Sequence, residues 1–321
     1  MKHFRTFMLG AALALGAASV QAAETLRIAV LETGTVNWEL TTIKENGFDT
    51  ANGFEMEVMG LAGNPATQVA FQGGEADVIV SDWIWVARQR AAGKDYRFIP
   101  YSTAVGGVMV SADSDVQTLA DLRGGKIGIA GGPVDKSWII LRAYAQQEYG
   151  FDLAAETEQV FGAPPLIMQQ AKAGEVDGAI NFWHFLAKMK AAGMREIISV
   201  ADASTALGLD PDTPLLGYVV KGELVESNPQ LVAGLAAASQ AAKDLLASDD
   251  AAWDAIRPVM RADKDEDFAA LKEGYRAGIP KGPVDPAEVA KVLEVMAKIG
   301  GEDLVGEATT LPEGLFYAPG G

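Results

Sequence analysis

From Leu26 onward, short apolar runs alternate with stretches of helical periodicity. "LRIAVLE" predicts a first strand and "GTVNW" the loop after it, with a helix from about Glu39 to Asn46 stopped by Gly47. "FEMEVMG" alternates apolar and charged positions, as a strand with one buried face does. "PATQVAFQGG" predicts a helix opened by Pro65 and closed by Gly73 and Gly74. "DVIVS" reads as a buried strand, Ile84 to Ala92 as a helix ending at Gly93, and "YRFIPYS" as another strand. "TLADLRGGKIGI" restarts the pattern with a short helix, a Gly-Gly turn and a strand. "SWIILRAYAQQEYG" is an amphipathic helix, "EQVFG" a strand, "PPLIMQQAKAG" a helix, "DGAIN" a strand, "FLAKMKAAG" a helix and "REIISV" one more strand. This alternation predicts an α/β protein with parallel, doubly wound sheets.

After Pro214 the pattern changes. "LLGYVVKGELVESNP" reads as a strand and a turn. Helices then follow over Gln230 to Ser248, Asp250 to Met260, roughly Glu266 to Ala277, and Pro286 to Ile299, and the tail "LPEGLFYAPGG" reads as extended.

One phrase occurs twice. "GEADVIVSDW" starts at Gly74 and "GEVDGAINFW" at Gly174, with Gly, Glu, Asp and Trp matching in place. In each, a helix ends at glycine, an acidic turn follows, and a buried strand runs to a tryptophan. The two copies predict corresponding strands of two α/β units. Ligands of open α/β sheets collect beyond the carboxyl ends of the strands. Ser81, Asp82 and Trp83 in one unit, and Asn181, Phe182 and Trp183 in the other, are therefore expected on the ligand edges of two sheets that face each other across a cleft.

Composition narrows the function. The 321 residues are 49% hydrophobic and 21% charged, which fits a soluble protein with an ample core. There is no cysteine, so disulfides, thiolate metal sites and cysteine nucleophiles are excluded. "MKHFR" followed by the apolar "TFMLGAALALGAASV" and the small residues of "VQA" predicts a signal peptide over residues 1–22, cleaved after Ala22 or Ala23. The apolar run falls short of the roughly 20 residues a membrane span needs. Loss of Lys2 and Arg5 would move the formal net charge from −17 to −19. Such a charge repels phosphate backbones and anionic membrane surfaces, so nucleic acid is not an expected partner. "GGPVDKS" lacks the spacing of a phosphate-binding GxxxxGK[ST] loop, and neither GxSxG nor SxxK occurs.

Five segments run in the order of a known family: "LRIAVLETG", "GNPATQVAFQGGEADVIVSD", "TLADLRGGKIGIAGG", "GAPPLIMQQAKAGEVDGAIN" and "SNPQLVAGLAAASQAA". Through them the chain resembles the substrate-binding proteins of ABC importers for nitrate, sulfonate, taurine and thiamine-pyrimidine compounds. The resemblance implies the two-lobed type II periplasmic-binding-protein fold, with a ligand cleft between the lobes and two hinge crossings, near Gly107–Ala112 and Leu215–Val220. Lobe 1 would comprise residues 24–110 plus 218–321 and lobe 2 residues 111–217. It further implies a monomeric periplasmic receptor that closes on a small molecule by hinge motion and docks on the membrane-spanning subunits of a permease. No cofactor and no catalysis are implied.

The family's pockets lie on the loops after the strands, which map here to 33–38, 63–67, 81–85, 103–106, 131–138, 181–184 and 213–216. The candidate ligand-binding residues are Thr35, Asn37, Trp38, Asn64, Ser81, Asp82, Trp83, Asp135, Trp138, Asn181, Phe182 and Trp183. These loops hold Trp38, Trp83, Trp85, Trp138 and Trp183, five of the six tryptophans, whose faces can stack on a planar ligand or hold a cation. Asp82 is the leading acidic candidate, and Asp135 also reads as the N-cap of the helix that "KSWIILRAY" begins. Lys136 could serve an anion, and His184 is the one histidine beyond the signal segment. The aromatic and acidic content favours a planar, nitrogen-containing or cationic ligand, whereas the resemblance favours a sulfonate, and both stay open. The alternatives are a carrier of a hard metal ion or metal chelate, held by Glu32, Asp82 and Asp135, and an enzyme resembling the thiamine-pyrimidine synthases.

Overall fold

A computed structural model describes residues 24–317 of the chain. The expected signal peptide and the last residues of the tail lie outside the described residues. Among the described residues ten strands form two five-stranded sheets: β1 (Glu24–Leu31), β2 (Phe54–Leu61), β3 (Val78–Asp82), β4 (Tyr96–Ser102), β5 (Gly107–Val110), β6 (Lys126–Ala130), β7 (Glu158–Gly162), β8 (Gly178–Asn181), β9 (Arg195–Ser199) and β10 (Leu216–Lys221). The first sheet has the order β2-β1-β3-β10-β4 and the second β7-β6-β8-β5-β9. Two lobes on one plan result, each an α/β layer structure with helices packed on its sheet.

Both sheets are mixed. β10 runs antiparallel to β3 and β4, and β5 antiparallel to β8 and β9. These are the two strands by which the chain changes sheet. β5 enters the second sheet straight after β4 has ended in the first, and β10 brings the chain back. A strand arriving from the facing sheet comes in at the carboxyl edge and must run against its neighbours. Alternation of strand and helix is silent about direction, which is why the sequence pattern predicted parallel sheets.

The repeated phrase has a structural counterpart. β3 and β8 occupy the same third position in their sheets. Each follows a helix whose end turns through a left-handed glycine, Gly74 (φ 82°) and Gly174 (φ 71°), a conformation that costs glycine little. Asp77 and Asp177 then each accept the backbone N–H of the neighbouring strand, from Arg27 and Lys126 respectively. Each strand ends where a new helix opens, at Trp83 and at Trp183.

Elsewhere the elements largely follow the sequence pattern. The first helix starts at Val36, inside the expected loop, and the short helices Phe48–Ala51, Leu153–Glu156 and Val200–Ala206 add to the expected ones. "GELVES" forms the short helix Gly222–Ser227 where a turn was expected. The last helix continues beyond Ile299 to Val305, across a break at Gly301 (φ 58°). This helix, Pro286–Val305, packs against both Trp83–Ala91 of the first lobe and Lys136–Tyr149 of the second. Its Val289, Val292, Leu293 and Met296 are buried in one core with Ile84, Trp138 and Ile140. The tail lays Phe316 beside Phe98 on the edge strand β4: Phe98 N–H donates to the Leu315 carbonyl and Tyr317 N–H to that of Phe98, each at 2.8 Å.

Candidate functional site

The carboxyl edges of the two sheets face each other, and the loops after β1, β2, β3, β6 and β8 converge on one space. Its inner part is a chamber of about 110 Å³ between Leu31, Thr35, Val36, Asn64, Val80 and Tyr101 on one side and Asp135, Lys136, Ser137, Phe182, Trp183 and His184 on the other. The passages between sheets, Ala104–Gly106 and Leu215–Leu216, form its floor. A wider outer cleft of about 580 Å³ shares Leu31, Asn64, Asp135, Lys136 and Phe182 with the chamber and adds Glu32, Asp82, Trp85 and Gly131.

The chamber wall is mainly apolar, with a few polar groups aimed inward. Tyr101 and His184 are buried, and among the described residues neither the Tyr101 hydroxyl nor either ring nitrogen of His184 has a hydrogen-bond partner. Burial, with the Lys188 ammonium nearby, pushes the His184 pKa down to about 3, so the imidazole is neutral and offers one donor and one acceptor. Burial and the charge of Glu39 push the Tyr101 phenol up, so it stays a hydroxyl. The helices Val36–Glu45, Asn64–Gly73 and Trp183–Ala191 all begin at this space, and among the described residues no side chain caps any of the three. The positive ends of their dipoles favour negative charge.

Two other helix starts carry carboxylates. Asp135 accepts from the backbone N–H groups of Ser137 and Trp138, and Asp82 Oδ1 from that of Trp85 at 2.8 Å. Asp82 Oδ2 also accepts from Lys136 Nζ at 3.2 Å, a contact that crosses from one lobe to the other. Burial opposes the Lys136 charge, but Asp82 and Asp135 outweigh it and raise the pKa. Burial raises that of Asp135 despite Lys136 beside it.

Five of the twelve sequence candidates line the inner chamber: Thr35, Asn64, Asp135, Phe182 and Trp183. Asp82 lines the outer cleft. The other six build the walls. Asn37 donates its amide to the carbonyls of Leu31 and Gly34, holding the loop after β1. Asn181 donates to the Pro164 carbonyl and accepts from Phe182 N–H, fixing the end of β8. Ser81 is buried in β3. Trp83 and Trp138, each in the first turn of its helix, are buried in one core; Trp83 meets Phe316 at 6.5 Å between ring centres. Trp38 is buried too, but one edge reaches Trp183 at 5.7 Å. Tyr101 was missed by the sequence reading. The signal was present, since it is the last inward position of β4, one step from the carboxyl edge.

Among the described residues no group of three or more His, Cys, Asp or Glu side chains is placed to hold a metal ion. Glu32 turns instead toward Arg261.

The family model described as NMT1/THI5 like matches residues 37–252. The chain belongs to the NMT1/THI5-like family. No curated protein matches it in sequence. Among solved structures, members of this fold superpose over nearly the whole chain. The periplasmic aliphatic sulphonate-binding protein SsuA from Escherichia coli is similar with a TM-score of 0.73 at 17% identity, covering 92% of each chain. The alkanesulfonate-binding protein SsuA from Xanthomonas axonopodis pv. citri, bound to MOPS, gives 0.72 at 16% identity over 92% of this chain and 99% of that one. The ligand-binding component of an ABC-type import system from Staphylococcus aureus, with zinc bound, gives 0.67 at 12% identity over 89% and 99%. At these identities the likeness establishes the periplasmic-binding-protein fold for this NMT1/THI5-like chain.

Proposed function

We propose that this protein is a periplasmic solute receptor that delivers a small organic ligand with an anionic head group, of the sulfonate class, to the permease of an ABC importer. The chamber carries the reading. It lies between two lobes joined by two chain crossings, it is small and mostly apolar, three uncapped helix starts favour negative charge, and the Tyr101 hydroxyl, His184 and Lys136 supply donors for one anionic group. A ligand touching both lobes stabilises the closed arrangement by its differential affinity for it. Binding and release suffice for this role, and no bond in the ligand need be broken. The resemblance to sulfonate-binding receptors points to the same class.

A second reading, an amine or pyrimidine ligand, is favoured by the carboxylates of Asp82 and Asp135 at the mouth of the chamber. A thermal-shift panel of alkanesulfonates, carboxylates, pyrimidines and amines on the mature protein separates the two. The first reading expects stabilisation by alkanesulfonates. Stabilisation by amines or pyrimidines alone would replace it with the second.

A further inference from the structure

Among the described residues Lys136 is the one cation on the chamber wall, yet its ammonium already has a partner. Asp82, from the facing lobe, holds it at 3.2 Å, and the side chains of both are largely buried, 15% and 13% exposed. Asp82 is itself fixed, because its other oxygen caps the helix Trp83–Ala91. The carboxylate therefore cannot swing away without uncapping that helix. Asp135, its chain neighbour, adds a second carboxylate that acts on the Lys136 charge. An anion that enters the chamber meets a lysine whose charge is compensated and an acidic oxygen next to it.

We propose that Asp82 is a charge-selectivity residue: it neutralises Lys136 across the cleft so that the receptor discriminates against small inorganic anions in favour of organic ones. This inference rests on the solute reading above. An anion such as sulfate offers only electrostatic attraction and hydrogen bonds, and Asp82 cancels much of the attraction. An organic sulfonate adds contact with Leu31, Val80, Phe182 and Leu215, which Asp82 does not affect. Specificity is then achieved by a repulsive element directed at the wrong ligand.

Calorimetric titration of the full mature chain with ethanesulfonate and with inorganic sulfate tests this, using D82N, K136M and the double variant. Asparagine keeps the helix cap, and a cooperative thermal transition shows that each variant is folded. The expected result is that the wild type binds ethanesulfonate and not sulfate. D82N gains roughly tenfold or more for ethanesulfonate and acquires measurable sulfate binding. K136M loses affinity for ethanesulfonate and still does not bind sulfate, and the double variant behaves as K136M. Wild-type binding of ethanesulfonate with no gain in D82N overturns this proposal alone and leaves the solute reading standing. Failure of both wild type and D82N to bind either probe overturns this proposal and the sulfonate reading together.

Discussion

The indole of Trp183 occupies a notch that Gly274 leaves open: a Cβ on Gly274 would lie 2.5 Å from Cζ3 and 2.8 Å from Cε3 of that ring. Trp183 opens a helix of the second lobe, and Gly274 lies in the helix Asp265–Ala277, which packs on the first. Trp38 of the first lobe meets the same indole edge-on at 5.7 Å. The ring thus lines the ligand chamber and joins the lobes at once.

Gly274→Val is expected to hold the lobes apart. Overpacking of this kind costs about 1–3 kcal/mol, and here the cost falls on the closed arrangement. Small-angle scattering should show a larger radius of gyration, and titration a roughly tenfold or greater loss of ligand affinity. An unchanged radius and unchanged affinity would show that the notch has no part in closure.

Glu39 is fully buried and saturated. Oε1 accepts from the hydroxyls of Tyr218 (2.7 Å) and Ser239 (2.6 Å), and Oε2 from Tyr275 (2.8 Å) and Lys243 Nζ (2.8 Å). This network fastens the helices Pro229–Ser248 and Asp265–Ala277 to the helix that starts at the chamber. Removing the charge leaves Lys243 buried and uncompensated, so Glu39→Gln is expected to lose about 3 kcal/mol or more in urea unfolding. The double variant with Lys243→Met should recover part of that loss. A Glu39→Gln protein as stable as the wild type would contradict the ionic assignment.

His184 sets a pH dependence. Its folded pKa of about 3 lies below the ordinary value of 6.5, so the unfolded chain takes up a proton that the folded one refuses. Its contribution is fully present above about pH 6.5 and is lost as the pH falls toward 3, at about 1.4 kcal/mol per pH unit. The difference in unfolding free energy between wild type and His184→Gln, measured from pH 7 to pH 4, should change with this sign. A difference that stays flat would show that the imidazole titrates normally.

Leu315 is 1% exposed, in the tail segment that pairs with β4. Leu315→Ala is expected to cost about 2–5 kcal/mol, read as a lower midpoint in denaturant. A loss below about 1 kcal/mol would mean that the tail is not part of the cooperative unit.

Much of the fold was legible because its signals are local. The period of apolar positions marked nearly every strand and helix, and the repeated phrase pointed to β3 and β8, which hold matching places in the two sheets. Strand direction was not legible, since β5 and β10 owe theirs to the crossing of the chain and not to their own residues. The helical "GELVES" lost to the reading of its glycine as a turn, although Gly222 starts the helix. In the site, loop position identified Thr35, Asn64, Phe182 and Trp183 as neighbours of one space. It could not tell that the first helical turn carries Trp83 and Trp138 into the core. Nor could it show that Asp82 reaches across to Lys136, because that contact joins residues 54 apart on facing lobes.

The most direct measurement is an isothermal titration of the mature protein with a series of alkanesulfonates, run beside Trp183→Ala. Saturable binding at one site per chain, with a negative heat-capacity change and a large loss of affinity in the variant, is the expected result. An absence of binding across the series, or undiminished binding in Trp183→Ala, would contradict a sulfonate receptor that closes on its ligand in this chamber.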